Sequence, residues 1–175
     1  MTLADGPDQP SMLIGVLIAG GLVVVTVAMH ALGFAVLLRA IIRSHALDRS
    51  GFRFVYPSLI LLTCWLILIH LLEVSVWGLF YFWQGCLPDA ESALYFSGVT
   101  YTTVGYGDLV LSKPWRMLAP LEALTGTLMF GLSTGLFFAI VHRWISNWMQ
   151  RRTASEPHSA APMEKRGVAI TNEGP

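Results

Sequence analysis

Of 175 residues, 54% are hydrophobic and only 13% charged, and the mean hydropathy is +0.60. This excludes an ordinary soluble globular domain and points to a membrane protein embedded in a lipid bilayer. The formal net charge of zero gives no reason to expect nucleic acid, and the length suits one compact unit with no soluble regulatory domain beside it.

Met1 to Ser11 contains Asp5 and Asp8 but no Lys or Arg, and the apolar run after it is too long for the core of a cleaved signal. Residues 1–11 therefore read as an extracytoplasmic N-terminus ahead of a retained helix. From Met12 to Leu38 no residue is charged. At about 1.5 Å per residue such a helix reaches roughly 40 Å, more than a bilayer core requires, and we place a first transmembrane helix over 12–42. The loop 43–54 and its flanks hold Arg39, Arg43, Arg49 and Arg53 against Asp48, which puts it on the cytoplasmic side. A second apolar run, Phe54 to Leu72, pauses at Glu73 and resumes as "VSVWGLFYFWQG", giving an outer helix over 55–83 with one acid inside it. Cys64 lies in this run and Cys86 in the polar loop beyond it, so no disulfide is expected between them, and they lack metal-ligand spacing.

"LPDAESALYF" then opens a short helix over 90–102, with Asp89 as N-cap after Pro88 and Glu91 in the first turn. The uncharged stretch Ser92 to Gly107 is too short and too rich in Gly and Thr to cross alone, so it reads as a re-entrant segment. A last helix is expected over 115–149, built on the apolar run Ala123 to Val141, and residues 150–175, rich in Ala, Ser, Pro and charge, are expected to be disordered. Arg143, Arg151, Arg152, Lys165 and Arg166 follow that run. They place the C-terminus in the cytoplasm and the N-terminus outside, in a multi-pass protein of the plasma or inner membrane.

Between the short helix and the last one lies "TTVGYGD", residues 102 to 108. Irregular backbone at membrane depth is tolerated only where protein buries it or a watery cavity meets it. The heptapeptide resembles the selectivity filter of potassium channels, with Thr103, Val104, Gly105, Tyr106 and Gly107 in the filter and Asp108 just after it. A dehydrated potassium ion needs oxygens in place of water, and glycines at 105 and 107 permit the alternating backbone that aims successive carbonyls one way. The Thr103 hydroxyl can add an oxygen at the inner end, and the Tyr106 ring can brace the loop. The resemblance covers roughly Pro57 to Arg143 and is to small bacterial members of the potassium channel family. It implies an all-α membrane protein with three transmembrane helices, a re-entrant pore helix and a filter loop, in a tetrameric potassium channel pore fold. Potassium at Thr103, Val104, Gly105 and Tyr106 is then a permeant ion, with no cofactor, and one filter copy per chain implies a homotetramer. The first helix has no regularly spaced Arg or Lys, so no voltage sensor is expected.

The resemblance also suggests supporting roles. Thr102, Tyr95 and Phe96 stand beside the filter; the last two replace the family's tryptophan pair, so Phe96 offers packing without a hydrogen bond while Tyr95 keeps a hydroxyl. Val99 stands where some members carry a glutamate that pairs with the filter aspartate, so that pair cannot form here. Thr127, Phe130, Thr134 and Phe138 step by three or four and share a face, which the family turns to the cavity. Phe138 is a candidate apolar constriction there, with a helix contact as the alternative. Gly126 and Gly131 are candidate hinges or, equally, close-packing points. Among intramembrane polar residues, Glu73 and Glu122 are candidates for holding the filter scaffold through backbone, and His70, i, i+3 from Glu73, for sensing protons. The structural role is preferred for these, and an interhelical hydrogen bond for His30. Three functions stay in view. One is a potassium-selective channel. A second is a transporter on the same architecture, which one intact filter copy disfavours. The third is a non-conducting or regulatory pore subunit; a weakly selective cation channel is a further variant. No nucleophile stands beside a base, so an enzyme is not expected.

Overall fold

A computed structural model describes residues 12–44 and 52–155. The expected N-terminal segment 1–11, Arg49 and the tail from 156 onward lie outside the described residues. The described residues form four helices: α1 (Met12–Arg43), α2 (Phe52–Trp83), α3 (Ala90–Tyr101) and α4 (Leu118–Ser155). Three of them, α1, α2 and α4, are long and apolar enough to cross a membrane. The 12 residues of α3 extend about 18 Å, too little to cross.

Several boundaries differ from those read in the sequence. Helix α4 begins at Leu118 rather than 115, because Pro120 has no N–H to give the carbonyl four residues back and belongs in a first turn. Trp115 and Leu118 N–H groups instead close turns onto Ser112 and Trp115 carbonyls. At its other end α4 runs on through Gln150 to Ser155, where disorder was expected. Arg152 lies 4.1 Å over the Trp148 ring and its charge suits a helix C-terminus. Helix α3 stops at Tyr101, with Thr102 as its cap donating N–H to the Gly98 carbonyl. Asp89 caps its start by accepting the Ser92 N–H at 2.8 Å, which holds this exposed carboxyl below the usual carboxylate range.

Helix α3 packs against α2 and α4, and α1 lies against the same two helices. Two apolar clusters hold the bundle. One, built on Trp77, Tyr81, Phe96 and Leu118, surrounds the start of α3; the other joins Leu37, Leu62, Leu66, Ile140 and Trp144 toward the opposite end. Other buried positions are polar: Thr26, His30, Glu73, Ser97, Glu122, Thr125 and Ser133. Van der Waals contact and hydrogen bonds, rather than expulsion of water, bind helices to one another in lipid. Cross-helix bonds run from Trp77 Nε1 to Thr26 Oγ1 at 3.0 Å and from Trp65 Nε1 to the Gly33 carbonyl at 3.1 Å. Apolar side chains facing outward, such as Val24 and Leu61, suit contact with lipid. This is a multi-pass, all-helical membrane protein.

Candidate functional site

The irregular segment after α3 alternates in hand. Thr103, Gly105 and Gly107 have φ of 61°, 51° and 80°, while Val104 and Tyr106 between them stay at negative φ. Glycine takes this region freely, but a β-branched residue there costs about 1–3 kcal/mol and persists only where its surroundings impose it. Two backbone bonds impose it here. The Thr103 N–H donates to the Thr100 carbonyl at 2.9 Å, and the Gly105 N–H reaches back to the Val99 carbonyl at 3.0 Å. The strain at Thr103 had no signal in residue type, since threonine is a poor choice for positive φ.

Support comes from side chains on α3. Tyr95 donates its hydroxyl to Asp108 Oδ2 at 2.8 Å, so a phenol ties the helix to the far end of the segment where Val99 cannot. The bond raises the Tyr95 phenol above its ordinary range, because ionising it would destroy the donor beside a carboxylate. Asp108 Oδ1 accepts the Leu109 N–H at 3.1 Å. Phe96 is buried, its ring edge-on to Tyr81 with centroids 5.3 Å apart. The Thr102 hydroxyl donates to the Gly98 carbonyl at 2.7 Å. Val104 and Tyr106 are 50% and 72% exposed on the protomer, so the Tyr106 ring has little cover from its own chain. A groove of ≈330 Å³ lined by Phe96, Val99, Thr100, Leu111 and Arg116 opens behind the segment.

On α4, Thr127, Thr134 and Phe138 are exposed on one side of the helix, with both threonine hydroxyls bonded back to carbonyls four residues earlier. Phe138, 69% exposed, stacks on His142 with centroids 5.9 Å apart. Phe130 stands at the edge of that side, its ring 4.4 Å from His70 and 5.5 Å from Tyr101. Gly126 faces α3 so closely that a Cβ would lie 2.1 Å from the Tyr101 carbonyl oxygen, whereas nothing lies within 4 Å of one at Gly131. Helix α4 is unbroken at both.

The two intramembrane glutamates are both fully buried, and both bond side chains rather than the backbone read from sequence. Glu122 accepts from the Tyr81 hydroxyl at 2.7 Å and lies 2.5 Å from Ser97 Oγ, which also lies 2.8 Å from the Val74 carbonyl. Glu73 meets His30 Nδ1 at 2.8 Å through Oε1, and takes the Tyr101 hydroxyl through Oε2. His70 Nδ1 lies 3.1 Å from the Tyr101 hydroxyl and its Nε2 3.0 Å from Ser133 Oγ. Sequence spacing revealed the His70 and Glu73 pair, but not that α1 supplies His30, α3 Tyr101 and α4 Ser133 to the same cluster. The ligand atoms of His30, His70 and Glu73 lie within 4.8 Å of one another, as metal ligands can. Hydrogen bonds already occupy them, and no buried side-chain N or O among the described residues lacks a partner, so nothing in the cluster calls for an ion.

No curated protein and no solved structure matches the chain. Residues 69–143, from the middle of α2 to a point well inside α4, match the family model described as "Ion channel". The match supports an ion channel, carried on α2, α3 and α4 of this bundle.

Proposed function

We propose that four copies of this chain surround an axis and pass potassium through a pore lined by Thr103, Val104, Gly105, Tyr106 and Gly107. The observation that carries the reading is the alternation of left-handed φ at 103, 105 and 107. Alternating hand lets consecutive carbonyls turn to one side, the arrangement that replaces the hydration shell of a potassium ion. The exposed Val104 and Tyr106 and the groove behind the loop are surfaces a neighbouring copy would cover. Thr127, Thr134 and Phe138 then face the cavity below the filter, and Gly126 serves close packing against α3 rather than hinging. The basic residues after α1 and along the end of α4 set the cytoplasmic side. With no charged residue from Met12 to Leu38, α1 carries no gating charge, so opening is not steeply driven by voltage.

The test is reconstitution of the full chain in a planar bilayer under opposed potassium and sodium gradients. Selective conduction sets the reversal potential near the potassium equilibrium value; a value near zero refutes selectivity, and silence in every condition refutes conduction.

A further inference from the structure

Five side chains from four helices close a ring: Glu73 to His30, His30 to Ser133, Ser133 to His70, His70 to Tyr101, and Tyr101 back to Glu73. A hydroxyl has one hydrogen and a neutral imidazole one N–H, so the donors can be assigned in turn. Tyr101 gives its hydrogen to Glu73 and its oxygen therefore accepts, from His70 Nδ1–H at 3.1 Å. His70 Nε2 is then a bare acceptor and takes the Ser133 hydrogen at 3.0 Å. The Ser133 oxygen in turn accepts from His30 Nε2–H at 3.4 Å. One contact remains, His30 Nδ1 to Glu73 Oε1 at 2.8 Å, and a single proton fills it. Each of the contacts holds one proton, and the ring is neutral whether that last proton sits on the imidazole or on the carboxylate. The count is the same if every donor is reversed.

A neutral, closed ring is the state a membrane interior tolerates; one proton more leaves a net positive charge with no counter-ion. The groups facing it are His30 from α1, His70 and Glu73 from α2, Tyr101 from α3, and on α4 only Ser133 and, farther off, Glu122, already engaged by Tyr81 and Ser97. No Lys or Arg occurs from Met12 to Leu38, Phe54 to Trp83, Ala90 to Tyr101 or Leu118 to His142. Tyr101 is the last residue of α3, two before Thr103.

We infer that His30 is a positioning residue for the filter, acting from α1 through this proton-counted ring on Tyr101, and that acid weakens potassium passage by adding a proton the ring cannot hold. The inference rests on the reading of residues 103–107 as a filter. The experiment measures potassium flux and reversal potential from pH 8 to 5 in liposomes holding the full chain, with ¹⁵N-histidine spectra in the same bilayers. Wild-type flux should fall about tenfold or more across that range, the scale expected when a buried hydrogen-bonded group loses its partner. His30→Gln keeps a donor toward Glu73 but cannot titrate, and Ser133→Ala opens the ring while removing one oxygen; both should flatten the pH profile and move the reversal potential toward zero. Should His30→Gln not fold, Ser133→Ala alone still decides. At pH 7.5 the spectra should show His70 protonated at Nδ1 and His30 at Nε2. Two imidazoles both bare at Nδ1, a flat wild-type profile, or selective flux with the wild-type profile in Ser133→Ala each overturns the inference. The spectra as expected but no flux in any sample would overturn the channel reading itself, and with it any role of the ring in positioning a filter.

Discussion

Replacing Glu122 by alanine and by glutamine separates a charge from a hydrogen-bonding shape. The Val74 carbonyl can only accept, so at 2.8 Å the hydrogen between it and Ser97 belongs to the serine. Ser97 has none left for Glu122, 2.5 Å away, and the carboxyl must supply that hydrogen itself while its other oxygen accepts from Tyr81. A glutamine presents the same pattern, an N–H toward Ser97 and a carbonyl toward Tyr81. Glu122→Gln should therefore stay within about 1 kcal/mol of wild type. Glu122→Ala leaves the fully buried Tyr81 hydroxyl without its acceptor and opens a cavity, together worth roughly 2–5 kcal/mol. For a chain of this size about 2–4 °C of melting temperature accompanies each kcal/mol, so the alanine variant should melt roughly 4–20 °C lower. Thermal unfolding of the purified protein in detergent, followed by near-ultraviolet circular dichroism, reads both. Equal losses in Gln and Ala would refute the neutral carboxyl and show that the site needs a charge.

Gly126→Ala drives a methyl into the Tyr101 carbonyl and should cost about 1–3 kcal/mol or more by overpacking; Gly131→Ala, with open space around it, should leave the melting temperature of the same preparation within a few degrees. Tyr95→Phe removes the bond to Asp108 and, on the proposed channel reading, should make reconstituted current decay faster without changing its reversal potential; unchanged decay would show that the bond does not restrain residues 103–107. Burial pushes the Cys86 thiol up to about 11, so maleimide labelling read by intact mass should be slow at pH 7.5 and rise about tenfold per pH unit up to that value. Asp89, held below the ordinary carboxylate range by the Ser92 N–H, stabilises the start of α3 above that range. The contribution disappears as pH falls through the lowered value, which hydrogen exchange at Ser92 would register.

The spanning helices were legible because length and the absence of charge are enough to mark them. The left-handed backbone at Gly105 and Gly107 was legible because glycine is the residue that takes it freely. Side-chain partners were not. Glu73 and Glu122 announce themselves as costly intramembrane groups, yet whether each meets backbone or a hydroxyl depends on how helices rotate about their axes, and a helix apolar on every side says little about its rotation. Pro120 is a local signal for the start of α4: with no N–H to give, it belongs in a first turn, which sets the start at Leu118 rather than 115.

Helix α1 shows how little is needed once rotation is known. Its buried residues Gly15, Ala19, Thr26, His30 and Leu37 are spaced by four, seven, four and seven residues, a single stripe down one side. In a helix with no charge from Met12 to Leu38 that stripe is silent in hydropathy, and only its polar members, Thr26 and His30, mark it. They are also the members whose side chains hydrogen-bond α2, through Trp77 and Glu73. Transmembrane hydrogen bonds average about 0.6 kcal/mol each, so these two, the Trp65 bond and the longer His30 contact with Ser133 give α1 about 2 kcal/mol beyond packing. Hydrogen bonding of that size is a small part of what seats α1, whose Ala19 and Leu37 also enter the two apolar clusters, but it matters for Glu73. Take His30 away and the fully buried Glu73 carboxyl loses a partner that only α1 supplies, while Tyr101, which with His70 3.3 Å away meets its other oxygen, ends the helix on which residue 103 depends. The added helix is thus tied to the pore less by the area it covers than by the acid it neutralises.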